Sequence, residues 1–278
     1  MPTLPRAAFA ALLDDAAMFP PGDASAADAL SGHLRHRAAW YADLIGPLLI
    51  PADRWADFVA AHAAAGHPAV TVVLIGTTSM PQVVPTGVTV TGFEVAVPGL
   101  PLPEAAEDMR IAIEVPPSPD GASVLTAVGE QAAAGRPILA KVRTGGLTRA
   151  AFPSEQTLAG ALTAAVAASA PLKLTAGLHH GIRHTAPETG FEQHGFLNVL
   201  LAMMQAIDGG DAGRVATTLG IRDPAVVLAR MQEPPWPRLV AARRWFVSFG
   251  CCGVEEPVAD LVELGLVEAT PAAETSEV

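Results

Sequence analysis

Short apolar runs alternate with longer Ala/Leu-rich helical patterns along most of this 278-residue chain. This alternation predicts parallel strands joined by helices, because a parallel connection has to cross back over the sheet. Strands are predicted at 16–19, 47–50, 70–75, 88–95, 111–115, 138–143, 172–176 and 245–249. Helices are predicted at 24–44, 52–65, 124–134, 154–169, 196–207 and 257–264. Eight strands over about 250 residues indicate an α/β protein of the (β/α)8 TIM-like barrel class.

A doubly wound open α/β sheet is the alternative fold. The chain contains no Gly-rich dinucleotide fingerprint and no phosphate-loop motif, which weakens that alternative. We predict one barrel domain over 1–267, with a long insertion after the seventh strand at about 179–243. The small, polar, acidic tail at 268–278 is predicted to be disordered.

The charge balance restricts the partners. A net charge of −11 without a basic stripe argues against nucleic acid and anionic membranes as ligands. No uninterrupted apolar stretch of about 18 residues occurs, so no membrane helix is predicted. Cys251 and Cys252 are adjacent and form no disulfide framework, so we expect a cytoplasmic protein. The sequence is compatible with a homo-oligomer.

Lysine is unusually rare: Lys141 and Lys173 are its two occurrences, against 15 arginines. Arginine can replace lysine as a surface cation, but it cannot lose its proton or form an imine. The two lysines are therefore candidates for chemistry, and both lie near the ends of predicted strands. The structural alternative is that they are remnants or buried ion-pair partners.

Side chains alternate across a strand, so Lys141 shares one face with Arg143, and Lys173 shares one face with Thr175. The helix-facing side of a barrel strand must be apolar. These four side chains are therefore predicted to point inward near the carboxyl ends of neighbouring strands, where barrel enzymes build their sites.

Two acidic residues on preceding strands have the same parity, Glu94 and Glu114. They are predicted to compensate the inward cations. A lysine beside another cation has a lowered pKa and becomes nucleophilic when neutral, and a neighbouring glutamate can move protons. The alternative is a salt-bridge layer that supports the barrel.

The segment Lys141-Val-Arg-Thr-Gly-Gly, followed by Lys173-Leu-Thr-Ala-Gly-Leu, resembles the paired lysine strands of class I aldolases of the deoxyribose-phosphate aldolase type. The resemblance covers about forty residues. It implies that Lys141, on the sixth strand, forms a Schiff base and that Lys173, on the seventh, tunes it.

Four histidines follow the seventh strand within sixteen residues: His179, His180, His184 and His194. They can act as general acids and bases, or they can bind a divalent transition metal, with carboxylates such as Asp14, Asp15 or Glu114 completing the site. No cofactor is certain from the sequence.

Three residues of this segment, Arg183, His194 and Asn198, are predicted to bind substrate, together with Arg143 and Thr175 of the lysine strands. Arg183 is expected to form an anion clamp with Arg143, because guanidinium groups bind carboxylate or phosphate with two hydrogen bonds. His194 and Asn198 are spaced i, i+4 and are predicted to share a face at a helix start, which favours an anionic ligand.

The leading hypothesis is a lyase of the aldolase type that acts on a small anionic carbonyl compound. Lys141 is the nucleophile, Lys173 lowers its pKa, and Glu114 with His179 or His180 moves protons. The second hypothesis is a metal-dependent isomerase or hydrolase that uses the histidine cluster, in which the lysines stabilise an oxyanion. The third is a non-catalytic metabolite-binding barrel.

Overall fold

A closed barrel of eight parallel strands forms the centre of the molecule, which confirms the predicted (β/α)8 class. The computed structural model describes residues 6–104, 109–116, 118, 120–233 and 236–269. Within this part of the chain, one large cluster of buried apolar side chains joins the strands to the surrounding helices. Both faces of the strands are covered, as parallel sheets require.

The barrel strands follow each other in chain order around the ring, and the last strand pairs with the first. Their bounds are β1 (Leu13–Asp15), β2 (Ile45–Pro51), β3 (Val70–Ile75), β4 (Val88–Ala96), β5 (Arg110–Glu114), β6 (Ile138–Arg143), β7 (Leu172–Thr175) and β10 (Phe246–Cys251). A separate hairpin is formed by β8 (His184–Thr185) and β9 (Glu192–Gln193).

Helices follow most of the strands. Their bounds are α1 (Ala26–Ala38), α2 (Trp55–Ala64), α3 (Asp120–Ala133), α4 (Glu155–Ala167), α5 (Phe196–Ile207), α6 (Ala212–Leu219), α7 (Pro224–Gln232), α8 (Trp236–Ala242) and α9 (Glu255–Glu263). The long connection between β7 and β10 contains the hairpin and four of these helices, α5 to α8. No described helix is both long and apolar enough to cross a membrane.

Local sequence explains the best-predicted helices. The hydroxyl of Ser154 accepts a hydrogen bond from the Thr157 amide and caps α4, as its place after a proline indicates. Helix α5 is apolar on nearly every side and almost entirely buried, because it packs against other helices of the same connection.

The predicted first strand at 16–19 is wrong, and β1 lies immediately before it. Aspartate is depleted in strands, so the Leu-Asp-Asp sequence gives little strand signal. Both carboxylates of β1 are buried and bonded: Asp14 points into the barrel, and Asp15 accepts a bond from His33 of α1 at 3.0 Å. The first helix also ends earlier than predicted, at Ala38.

The third connection, between β3 and β4, contains no helix among its described residues. The predicted disordered tail at 268–278 falls mostly outside the described residues, which end at 269.

Candidate active site

A buried ion-pair network fills the barrel interior beneath its carboxyl end. Lys173 Nζ donates to Asp14 Oδ2 at 2.6 Å and also to Glu94 Oε1. Asp14 accepts a further hydrogen bond from Ser248 Oγ at 2.7 Å. Because β1 and β7 both neighbour β10, the barrel topology brings Asp14 and Lys173 together across that strand.

Glu94 connects the two lysines. Its second oxygen, Oε2, lies 2.9 Å from Lys141 Nζ, an ion-pair distance without hydrogen-bond alignment. Lys141 Nζ also lies 3.2 Å from Glu114 Oε2 on the neighbouring strand β5. One amine thus has two carboxylates within reach, and one of those carboxylates is shared with Lys173.

The charges in this network shift the pKa values of its members. Burial alone would lower the pKa of Lys173, but the charges of Asp14 and Glu94 outweigh it and hold that pKa above its ordinary value. Burial alone would raise the pKa of Glu94, but Lys173 and Lys141 hold it below the ordinary value. Lys173 is therefore an ammonium and Glu94 a carboxylate at neutral pH.

Arg143 covers the outer side of Glu114. Its Nε and Nη2 donate to the two carboxylate oxygens at 3.0 and 3.3 Å. Burial would raise the pKa of Glu114, but Lys141 and Arg143 hold that pKa below its ordinary value. The Arg143 side chain is 49% exposed, so it can also meet an anion that enters from solvent.

A cavity of about 560 Å³ opens above the network at the carboxyl ends of the strands. Its polar lining includes Lys141, Glu94, Glu114, Arg143, Thr175, His179, Gln193 and Cys252, and its apolar walls include Phe19, Leu49, Ile75, Phe152 and Phe191. Lys173 does not line it. This size suits a small organic molecule, and the lysine that such a molecule can contact is Lys141.

Close backbone packing positions the loops after the two lysine strands. A Cβ added at Gly145 would lie 2.7 Å from the Cα of Gly177, so these loops approach at a distance that glycine permits. Thr144 Oγ1 donates to the Ala176 carbonyl at 2.6 Å and fixes the same junction. The ends of β6 and β7 are thereby held in register.

His179 is the member of the histidine cluster that lines the cavity. Its Nδ1 lies 2.5 Å from Glu256 Oε2, and its Nε2 lies 3.7 Å from Cys252 Sγ. Cys251 Sγ lies 3.8 Å from Nδ1. Hydrogen bonds to Cys251 and Cys252 raise the pKa of His179 to about 11, against the opposing effect of burial.

The other histidines lie apart from the cavity lining. His180 Nδ1 contacts Asp260 Oδ1 at 3.3 Å. The rings of His180 and His184 are arranged edge to face, with their centroids 4.6 Å apart. Burial lowers the pKa of His184 and of His194. The structure therefore does not gather the four histidines of the sequence-based metal hypothesis into one group.

Arg183, His194 and Asn198 are used in internal contacts away from the cavity. Arg183 pairs with Glu155 at 2.9 Å and lies 3.1 Å from His194 Nδ1. Asn198 accepts from the Arg183 amide and donates to two backbone carbonyls. Helix α5 begins after His194, so the pair does not share a helix face as predicted. None of the three lines the cavity, so their predicted contact with substrate stays a prediction.

A different set of side chains is close enough to share an ion. Ligand atoms of His179, Cys251 and Glu256 lie within 4.8 Å of one another in the described part of the chain. The Nδ1–Oε2 contact of 2.5 Å is a hydrogen bond, so this geometry alone does not identify them as ligands.

Some site residues were not assigned a role from the sequence. Ser248, Cys252 and Glu256 are absent from the predicted site, and Asp14 appears there as a metal ligand rather than as the partner of Lys173. One signal pointed to Asp14: three inward cations faced two predicted inward glutamates, which left one positive charge without a counterpart.

No family model matches this sequence, and no curated protein or solved structure matches it significantly.

Proposed function

We propose that this protein is a lyase of the aldolase type that forms an imine between Lys141 and a small carbonyl compound carrying a carboxylate or phosphate. One observation carries the proposal: Lys141 lines the cavity, and its amine has two carboxylates at 2.9 and 3.2 Å. A nucleophilic amine needs an accessible position and a nearby proton acceptor, and Lys141 has both.

Lys173 has the contrasting role of a fixed cation. It is buried, it does not line the cavity, and two carboxylates keep it protonated. Because Lys173 already pairs with Glu94, it reduces the negative charge that Glu94 presents to Lys141. Lys173 is thereby a second cation on the carboxylate that contacts Lys141, which is the position that its tuning role requires.

Glu114 is suited to move the protons of imine formation. The Lys141 ammonium gives one proton to Glu114, 3.2 Å away, and the amine attacks the carbonyl carbon, so that a C–N bond forms and the oxygen takes that proton from Glu114. Glu114 then accepts the proton that nitrogen loses and passes it to the hydroxyl, which leaves as water and gives the iminium. The iminium takes up the electron pair of the Cα–Cβ bond as that bond breaks, while the β-hydroxyl gives its proton to the Glu114 carboxylate and becomes the carbonyl of the departing aldehyde; the reverse steps form the bond.

The resemblance to deoxyribose-phosphate aldolases supports the same assignment. It places the Schiff base at Lys141 and the tuning cation at Lys173, in agreement with their unequal access to the cavity. Arg143 stands where that family prefers a small hydroxyl residue. A guanidinium at the cavity wall favours a substrate with its anionic group near the reacting carbon.

Hydrogen–deuterium exchange tests this function without knowledge of the aldol partner. An iminium acidifies the neighbouring C–H bonds, so the protein should exchange α-protons of small aldehydes or 2-keto acids in D2O, followed by NMR. We expect exchange to be lost in Lys141→Arg and to be unaffected by a chelator. Exchange that survives in this variant would exclude the nucleophile assignment.

The metal-dependent alternative makes the opposite prediction. The spacing of His179, Cys251 and Glu256 is the observation in its favour. In that case a chelator abolishes turnover, a divalent transition metal restores it, and Lys141→Arg retains part of the activity.

A further inference from the structure

A second reactive group lies at the cavity wall, apart from the lysine network. Cys252 Sγ and His179 Nε2 are 3.7 Å apart, and both residues line the cavity. Glu256 holds the other nitrogen of the ring at 2.5 Å. Nucleophile, imidazole and carboxylate thus stand in a row, each within reach of the next, which is the arrangement that activates a thiol.

Cys251 and Cys252 are adjacent in sequence but differ in environment. Cys251 is buried, its thiol donates to the Gly253 carbonyl at 3.3 Å, and burial raises its pKa. Cys252 is partly exposed and lies within the cavity lining. The accessible sulfur is therefore the one that contacts Nε2, while Nδ1 is occupied by Glu256.

We propose that Cys252, paired with His179, adds reversibly through its sulfur to small aldehydes bound in the cavity. The sulfur attacks the carbonyl carbon, a C–S bond forms, and the π electron pair moves to oxygen. That oxygen takes the proton that His179 Nε2 shares with the sulfur. The product is a neutral hemithioacetal, and no other reactant is needed.

An aldehyde is the favoured ligand because Cys252 and His179 together supply what a carbonyl addition needs, a nucleophile and a proton donor. A sulfur nucleophile alone can react with any electrophile, but a proton donor next to the sulfur stabilises the oxyanion that develops in carbonyl addition. The titratable groups that face the ring are Glu256 at Nδ1 and the two cysteine sulfurs. This inference does not depend on the amine of Lys141.

Alkylation with iodoacetamide, followed by intact mass and peptide mapping, tests the reactivity of the Cys252 sulfur. We expect Cys252 to be modified faster than Cys251, because its sulfur is partly exposed, lines the cavity and contacts His179. At pH 6, His179→Gln should slow the reaction at least about tenfold, and Cys251→Ser should leave it fast. Glu256→Gln is the second variant, since its exposed side chain is replaceable without loss of packing.

Propanal tests the adduct in the Lys141→Arg background, where no imine can form at that residue. Rising propanal should slow the alkylation of Cys252 saturably, and dilution should restore the rate. The proposal is overturned if propanal gives no protection, or if Cys252 is alkylated as fast in His179→Gln as in the wild type. Alkylation that begins after chelator treatment would also overturn it, in favour of a bound metal.

Discussion

Lys173 Nζ lies 2.6 Å from Asp14 Oδ2, although 159 positions separate the two residues in the sequence. Both side chains are buried, and Glu94 completes the pairing of the lysine. This contact joins the first barrel strand to the seventh and fixes Lys173 as a cation beneath the cavity. The reactivity that we assign to Lys141 depends on that charge.

Asp14→Asn should destabilise the protein strongly. It leaves the buried Lys173 with one carboxylate, and breaking a buried ion pair costs about 3–5 kcal/mol of unfolding free energy. Urea denaturation measures the loss, and Asp57→Asn on the exposed face of α2 is the control. The double variant Asp14→Asn/Lys173→Met should lose less than the sum of the single losses. Additive losses would contradict direct coupling.

Acid should unfold the protein partly through Glu94. Its pKa lies below the ordinary value of about 4.3, so its stabilisation is present above that pH and is lost as pH falls through the lowered folded-state pKa. We expect the urea midpoint to drop from about pH 5 downward. The Glu94→Gln variant should be less stable than the wild type at pH 7, and its urea midpoint should fall less as the pH is lowered. An identical pH slope in both proteins would contradict this assignment.

Lys141→Arg should preserve the fold and abolish turnover. The guanidinium keeps the positive charge between Glu94 and Glu114 but cannot form an imine. We expect a fall in kcat of at least about a thousandfold, typical for removal of a nucleophile. Circular dichroism and the thermal midpoint serve as controls for folding. Turnover within tenfold of wild type would show that the amine is not the nucleophile.

Arg143→Lys should weaken the binding of anionic substrates more than that of neutral ones. The bidentate contact with Glu114 and the half-exposed side chain place a planar guanidinium at the cavity wall. We expect KM for a 2-keto acid to rise about tenfold with a smaller change in kcat, because one good charge-assisted contact is lost. Arg110→Lys, at the amino end of β5, is the control. Equal effects of the two substitutions would argue against an anion site at Arg143.

The barrel class followed from the sequence because short apolar runs alternate with longer Ala/Leu-rich helical patterns along most of the chain. Strand parity also placed Lys141, Glu114 and Arg143 together, since alternation is a local property. The pairing of Asp14 with Lys173 could not be predicted in the same way. It arises from closure of the barrel, which brings β1 and β7 to either side of β10.

In an irregular loop, sequence spacing does not predict which side chains lie close together, and the histidine segment is an example. His179 and His180 are adjacent, yet one contacts Glu256 and lines the cavity while the other contacts Asp260. Side chains in such a loop follow no regular period. The sequence therefore could not show which of the four histidines lines the cavity. The contact of Cys252 with His179 could not be predicted, because 73 positions separate the two residues in the sequence.

Reductive trapping of the imine tests the central claim most directly. The protein is mixed with a panel of small aldehydes and 2-keto acids, sodium borohydride is added, and peptide mass spectrometry locates the adduct. We predict a stable secondary amine at Lys141 in the wild type, with Lys173 unmodified, and no adduct at either position in Lys141→Arg. Adducts confined to the N-terminal amine, or equal trapping at Lys173, would contradict the account.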